Sequence, residues 1–208
     1  IHLAVEPRSD WKRQLLDFVK PRAGSSGIVY CLSRKKTEET AAFLVRNGIH
    51  ALPYHAGMDQ EIRAANQDEF MTGKAVVMVA TIAFGMGIDK SNVSFVIHYN
   101  MPKNLESYYQ EAGRAGRDGA PADCILLFSQ GDIRTARFLI ENSEENEALT
   151  PAEREAVLRR ELARLEKMIG YCRSDSCLRA YILGYFGETR GGNCGSCGIC
   201  NSSYIQTD

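Results

Sequence analysis

The run Ala75-Val76-Val77-Met78-Val79 has no polar side chain and leads straight into Ala80-Thr81-Ile82-Ala83-Phe84-Gly85-Met86-Gly87-Ile88-Asp89-Lys90. An uninterrupted apolar run of this length, bounded by turn residues, reads as a strand buried within a sheet. Outward from it, strands are expected at Ile28–Leu32, Ala51–Tyr54, Val76–Ala80, Phe95–Tyr99 and Cys124–Phe128. Amphipathic helices fall between them at Lys36–Asn47, Gln60–Met71 and Leu105–Ala115. Such alternation predicts an α/β fold, a parallel sheet with helices on both faces. Sheets of this kind bind ligands at the carboxyl ends of their strands. Ser33-Arg34, Thr81 through Asp89, and the loop after Tyr99 all fall there. The chain opens within what reads as a further strand and without methionine, so it reads as a piece of a longer protein.

At 208 residues the chain can form one large domain or two modest ones. A hydrophobic share of 44% with 25% charged residues reads as soluble and globular, and no apolar run has the length of a membrane span. The formal net charge of −1 does not announce a nucleic-acid partner. Division at Gly131 changes little: residues 1–131 hold 15 basic and 14 acidic side chains, and 132–208 hold 10 and 12. Any contact with DNA must come from local placement of cations and not from a global basic field.

The second informative stretch is Gln110-Glu111-Ala112-Gly113-Arg114-Ala115-Gly116-Arg117-Asp118-Gly119. Asn104 can cap a helix entering it, Glu106 suits the first turn, and Gly116 and Gly119 are expected to end it. On that helix Gln110, Arg114 and Arg117 stand at i, i+4 and i+7 and would project from one face. Two arginines three residues apart repel each other. The arrangement makes sense with an anion between them, because the planar guanidinium suits a phosphoryl oxygen. A bare pair of arginines at a helix end would more simply be cations favouring the dipole. The surrounding segment turns the balance toward an anion site.

Three apparent motifs fail on inspection. Gly85-Met86-Gly87 lacks the third glycine of a dinucleotide fingerprint, since Lys90 stands there. Gly73-Lys74 is followed by Ala75 and lacks the upstream glycine of a P-loop. Asp68-Glu69 lies in an amphipathic stretch, not at the end of a buried strand. The sequence contains neither a Walker A motif nor a Mg²⁺-holding acidic box.

Ala80 to Lys90 and Gln110 to Gly119 resemble motifs V and VI of superfamily-two helicases, and specifically those of the RecQ DNA helicases. Ser33-Arg34, after Ile28–Leu32, resembles motif IV. Tyr54-His55-Ala56-Gly57-Met58 and Ser107-Tyr108-Tyr109 resemble the family's intermediate signatures. The resemblance runs from about Trp11 to Cys200.

It implies a second RecA-like lobe over residues 1–131 and a small helical zinc-binding subdomain over 132–208. The whole protein would be an ATP-dependent DNA helicase unwinding duplex DNA in recombination and repair. ATP and Mg²⁺ would lie in a cleft shared with a first RecA-like lobe of the same protein. By resemblance Arg117 is the arginine finger, Arg114 its partner, and Gln110 a hydrogen-bonding group toward nucleotide or the neighbouring motif. Asp89 and Gly87 join the two arginines as nucleotide-binding candidates, Asp89 toward the ribose hydroxyls or toward an arginine of the same network. Ser33, Arg34, His55 and Thr81 would contact the DNA backbone, which is read without sequence preference. The expected partners are single-stranded DNA, duplex junctions and the first lobe, with no membrane, in an intracellular setting: cytoplasm and nucleoid, or nucleus. The competing class is a scaffold or nucleic-acid-binding module built on a helicase lobe, against which the intact Gln110, Arg114 and Arg117 argue.

Beyond Gly131 the pattern changes. Thr150-Pro151-Ala152-Glu153 is a capping box with proline at the first helical position. Leu158, Leu162, Leu165 and Ile169 then share one helix face. Acidic Glu141 to Glu147 reads as a solvated turn. The tail holds Cys177-x16-Cys194-x2-Cys197-x2-Cys200. Four thiolates suit tetrahedral Zn²⁺ in a closed structural site, and Gly195 and Gly198 permit the tight turn. The RecQ family carries a four-cysteine zinc module here, and Tyr185-Phe186-Gly187-Glu188 resembles its approach. Where relatives often have two arginines after the first cysteine, this chain has Leu178-Arg179. An iron–sulfur cluster stays open as an alternative, as does Cys172 in place of Cys177. Disulfides fit poorly with an intracellular protein. Cys31, Cys124 and His98 read as buried core residues.

Overall fold

The computed structural model describes residues 1–73, 76–85, 89–143, 150–189 and 191–201. Among the described residues six strands form one sheet: β1 (His2–Pro7), β2 (Ser26–Tyr30), β3 (Ala51–Tyr54), β4 (Val77–Ala80), β5 (Val93–His98) and β6 (Asp123–Phe128). The order across the sheet is β1-β6-β5-β2-β4-β3, and every pairing is parallel. The helices are α1 (Trp11–Val19), α2 (Arg34–Arg46), α3 (Gln60–Thr72), α4 (Leu105–Ala112), α5 (Gln130–Glu141), α6 (Pro151–Cys172) and α7 (Leu178–Tyr185). No helix among the described residues is long and apolar enough to cross a membrane.

Period-two alternation divides the strands between two cores. Val29, Val77, Val79, Phe95 and Ile97 pack against Leu15 and Val19 of α1 and Ala41 and Leu44 of α2. Ile28, Tyr30, Met78, Val96 and Leu126 face the other way, toward α3, α4 and α5. Leu165, Met168 and Tyr171 of α6 and Leu178 and Ile182 of α7 join this second core. The C-terminal helices therefore complete the apolar cover of the sheet. Thr150 and Glu153 form the expected capping box of α6, and Ser129 with Asp132 forms another at α5.

The observed strands lie within two residues of the expected bounds, with β1 at the opening as read. Helix α1, capped by Asp10, was not among the expected elements. The main departure is α4, which stops at Ala112 with Gly113 as its C-cap. Arg114 and Arg117 are thus not on one helix face with Gln110; they lie on successive turns. The physical reason is tertiary. The Gly116 N–H bonds the Val93 carbonyl (2.9 Å) and the Asp118 N–H bonds that of Ser91 (3.2 Å), drawing the chain back to the sheet. Gly116 makes this possible at φ +64°, a conformation that side chains disfavour. Most of the acidic turn, from residue 144, lies outside the described residues.

Candidate functional site

The carboxyl ends of β2, β3 and β4 are neighbours in the sheet, which brings Ser33, Arg34, His55 and Thr81 to one edge. Ser33 caps α2, its hydroxyl accepting the Lys36 N–H (3.2 Å). Arg34 is exposed and packs over Gly57, where a Cβ would stand 2.8 Å from Nη1. Thr81 is half-buried, and its N–H bonds the Tyr54 carbonyl (3.1 Å). His55 differs from its expected role: it is 4% exposed, with Nε2 on Glu38 (3.1 Å). In this arrangement the imidazole braces the turn after β3 against α2 and does not face solvent.

A second set surrounds the turn after α4. Gln110 is exposed on the helix. Arg117 Nη1 pairs with Asp89 (3.1 Å), so Asp89 meets an arginine of the same network. Arg117 Nε also reaches the Gly113 carbonyl (3.3 Å). Gly87 lies outside the described residues. Arg114 rests on the backbone of Gly85, where a Cβ would stand 2.7 Å from Nη2. Its Nε is buried and has no hydrogen-bond partner among the described residues. An orphaned buried donor costs about 1–3 kcal/mol, which an acceptor from outside the chain could offset.

Behind this turn lies a polar cluster that is only partly legible in the sequence. His98 is fully buried, as expected of a core histidine, and its Nε2 meets Glu111 Oε2 at 2.8 Å. The imidazole stacks on Tyr30 at 5.5 Å, and the Tyr30 hydroxyl donates to the Phe84 carbonyl (3.0 Å). Burial pulls the His98 pKa down, but its contacts with Cys124 and Glu111 outweigh this and raise it to about 9. Glu111 carried a legible signal: it is an acid on the apolar face of α4, between Tyr108 and Ala112. Tyr30, His98 and Glu111 line a cavity of about 480 Å³ that extends past Asn100 and Asn104 to α5 and α6.

The cysteines form the third set. The thiol sulfurs of Cys177, Cys194, Cys197 and Cys200 all lie within 4.8 Å of one another. Tetrahedral zinc with sulfur at 2.3 Å needs about 3.8 Å between sulfurs, so the four fit that ion after a small contraction. Cys172 is outside the cluster and buried in the core, where burial pushes its thiol up to about 12. Cys177 caps α7, its Sγ accepting the Ala180 N–H (3.4 Å). Burial opposes ionisation of Cys194, but the Ser196 N–H and hydroxyl and the neighbouring thiols bring it to about 5. Burial and the neighbouring thiols push Cys200 up to about 11, so the cluster shares its protons unequally. The loop is also joined to the sheet: the Gly198 N–H bonds the Leu3 carbonyl (2.8 Å), covering the edge strand β1.

Comparison with known proteins agrees with this layout. Residues 11–119 match the helicase conserved C-terminal domain, and residues 130–201 match the RecQ zinc-binding family. Among solved structures, the Escherichia coli DEAD-box protein SrmB superposes with a TM-score of 0.56 at 29% identity, over 64% of this chain and 79% of that one. A DEAD-box protein from Methanococcus jannaschii gives 0.56 at 27% identity, over 66% of this chain and 38% of its own. The fold is that of a RecA-like helicase lobe. The ATP-dependent DNA helicase RecQ of Bacillus subtilis is 45% identical over 92% of this chain, and that of Haemophilus influenzae 43% over 96%. The chain belongs to the RecQ helicase family and carries the family's helicase C-terminal domain and zinc-binding module. It spans 31% of the length of each of these two relatives.

Proposed function

We propose that this chain is the second motor lobe and zinc module of an ATP-dependent DNA helicase that unwinds duplex DNA in recombination and repair. Residues 1–131 form the lobe and 132–208 the zinc-binding subdomain. ATP and Mg²⁺ are held chiefly by a first lobe of the same protein, which supplies the phosphate cradle. Arg114 and Arg117 face the γ-phosphate from this side, Arg117 as the finger that neutralises transition-state charge and Arg114 as its partner. Gln110 and Asp89 complete the polar rim, with Asp89 holding Arg117 until nucleotide arrives. Ser33, Arg34 and Thr81 contact the DNA backbone, and His55 supports them from beneath through Glu38. Zn²⁺, held by Cys177, Cys194, Cys197 and Cys200, supplies folding free energy to the tail.

The observation that carries this reading is the buried Nε of Arg114, unpartnered among the described residues, on the same turn after α4 that carries Arg117. A buried donor without an acceptor among the described residues is costly, and an incoming anion would offset that cost. The test is Arg117→Ala in the full-length protein. Turnover should fall about 10³-fold or more while ATP binding is retained, because the finger acts mainly in the transition state. Arg117→Lys should not restore it, since a point charge does not reproduce the planar fork. Near-normal kcat in the lysine variant would remove Arg117 from this role.

A further inference from the structure

We propose that the buried His98–Glu111 pair is a positioning device for the arginine site, acting through Arg114 and clasping the turn after α4 to the loop after β4. The inference rests on the reading of Arg114 as a nucleotide-facing group. The contacts close a ring. Glu111 accepts from His98 with its side chain (2.8 Å), and its backbone carbonyl accepts the Arg114 N–H (3.2 Å). His98 stacks on Tyr30, and Tyr30 bonds the carbonyl of Phe84. Gly85 follows at once, and Arg114 Nη2 lies against it so closely that a Cβ there would be 2.7 Å away. The Arg114 guanidinium also sits beside the Tyr30 hydroxyl, whose pKa burial raises well above the ordinary value despite that neighbouring charge.

Packing alone does not ask for these residues. The α4 face that includes Glu111 otherwise buries Leu105, Tyr108 and Ala112, and an apolar side chain would fill the same space. A buried ion pair is seldom retained for stability, because desolvation consumes most of its attraction. What the pair does supply is a fixed distance. It holds Glu111, whose carbonyl accepts the Arg114 N–H, to a strand whose other contact, through Tyr30, is the loop on which Arg114 rests. A displacement of one segment is thereby transmitted to the other, so the group facing phosphate and the loop after Thr81 move together.

The experiment uses the full-length protein and compares Glu111→Ala, Glu111→Gln and Arg114→Ala for kcat, ATP KM, DNA affinity and melting temperature. Misplacement of a reacting-site group by about 1 Å can cost about 100-fold, so Glu111→Ala should lower kcat by about 10–100-fold. ATP KM and DNA affinity should stay within about 3-fold of the parent, since ground-state binding is untouched. Glu111→Gln keeps an acceptor for His98 Nε2 and should recover kcat to within about 3-fold. Should the alanine variant fail to fold, Tyr30→Phe decides, because it keeps the ring and removes only the hydroxyl, which bonds Phe84 and lies beside Arg114; a fall in kcat at constant KM is expected. Parental kcat in Glu111→Ala, or in Tyr30→Phe where the alanine variant is unfolded, would overturn the proposal. So would a glutamine variant as impaired as the alanine one. Arg114→Ala at parental kcat would instead sink the underlying reading of the arginine, and the proposal with it.

Discussion

At the scale of single residues, the environment of His98 links its protonation to stability. Its pKa lies near 9 in the fold against an ordinary value of 6.5, so the native state binds the extra proton more tightly than the unfolded chain does. The stabilisation is therefore fully present below about pH 6.5 and is lost as pH rises through about 9. Its ceiling is about 3–4 kcal/mol, because each tenfold gain in proton affinity is worth about 1.4 kcal/mol. Chemical denaturation should show the parent losing stability relative to His98→Asn between about pH 6.5 and 9.5. A constant difference across that range would mean the imidazole is neutral throughout. Its burial was legible from its place in an apolar strand, whereas its partner was not: Glu111 is thirteen residues away and meets it only when α4 folds back over β5. Similarly, His55 reads by resemblance as a DNA-backbone contact, and only the packing of α2 reveals Glu38 against it.

At the scale of elements, the sheet was legible because its strands are uninterrupted apolar runs, and the C-terminal helix because its capping box is written in consecutive residues. The end of α4 was not. Gly113 adopts φ −69°, compatible with a continuing helix, so nothing local marks the stop. The stop follows from Gly116 and Asp118 bonding back to the start of β5 and the residues just before it. This turn can be tested by Gly116→Ala. Alanine at φ +64° costs about 1–2 kcal/mol, and its Cβ would also stand 3.0 Å from the Ala120 carbonyl. The variant should lower stability by at least that amount in a denaturant titration. It should also lower kcat of the full-length protein, because Arg114 and Arg117 flank the displaced residue. Parental stability would show that the turn can adopt another conformation without loss.

At the scale of the whole molecule, motor chemistry and metal binding depend on different completeness. The isolated chain has no P-loop and no acidic box in its 208 residues, so with DNA, ATP and Mg²⁺ it should match the buffer blank. Turnover abolished by Arg117→Ala in the isolated chain would overturn the two-lobe account. The zinc module, in contrast, holds all its ligands within this chain and should load on its own. The described part of the tail after α7 buries little beyond Cys197, so metal binding there is folding free energy. Cys194→Ser is expected to abolish the single tightly bound zinc and to leave residues after Gly187 open to protease. The sheet should survive, because α6 and α7 remain in its second core through Leu165, Tyr171 and Leu178. Only the cover over β1, made by Gly198 on Leu3, should be released. Cys172→Ser, whose thiol lies outside the cluster, should keep full zinc. Zinc lost from the Cys172 variant but retained by Cys177→Ser would place the fourth ligand on α6 and refute the cluster as the binding site.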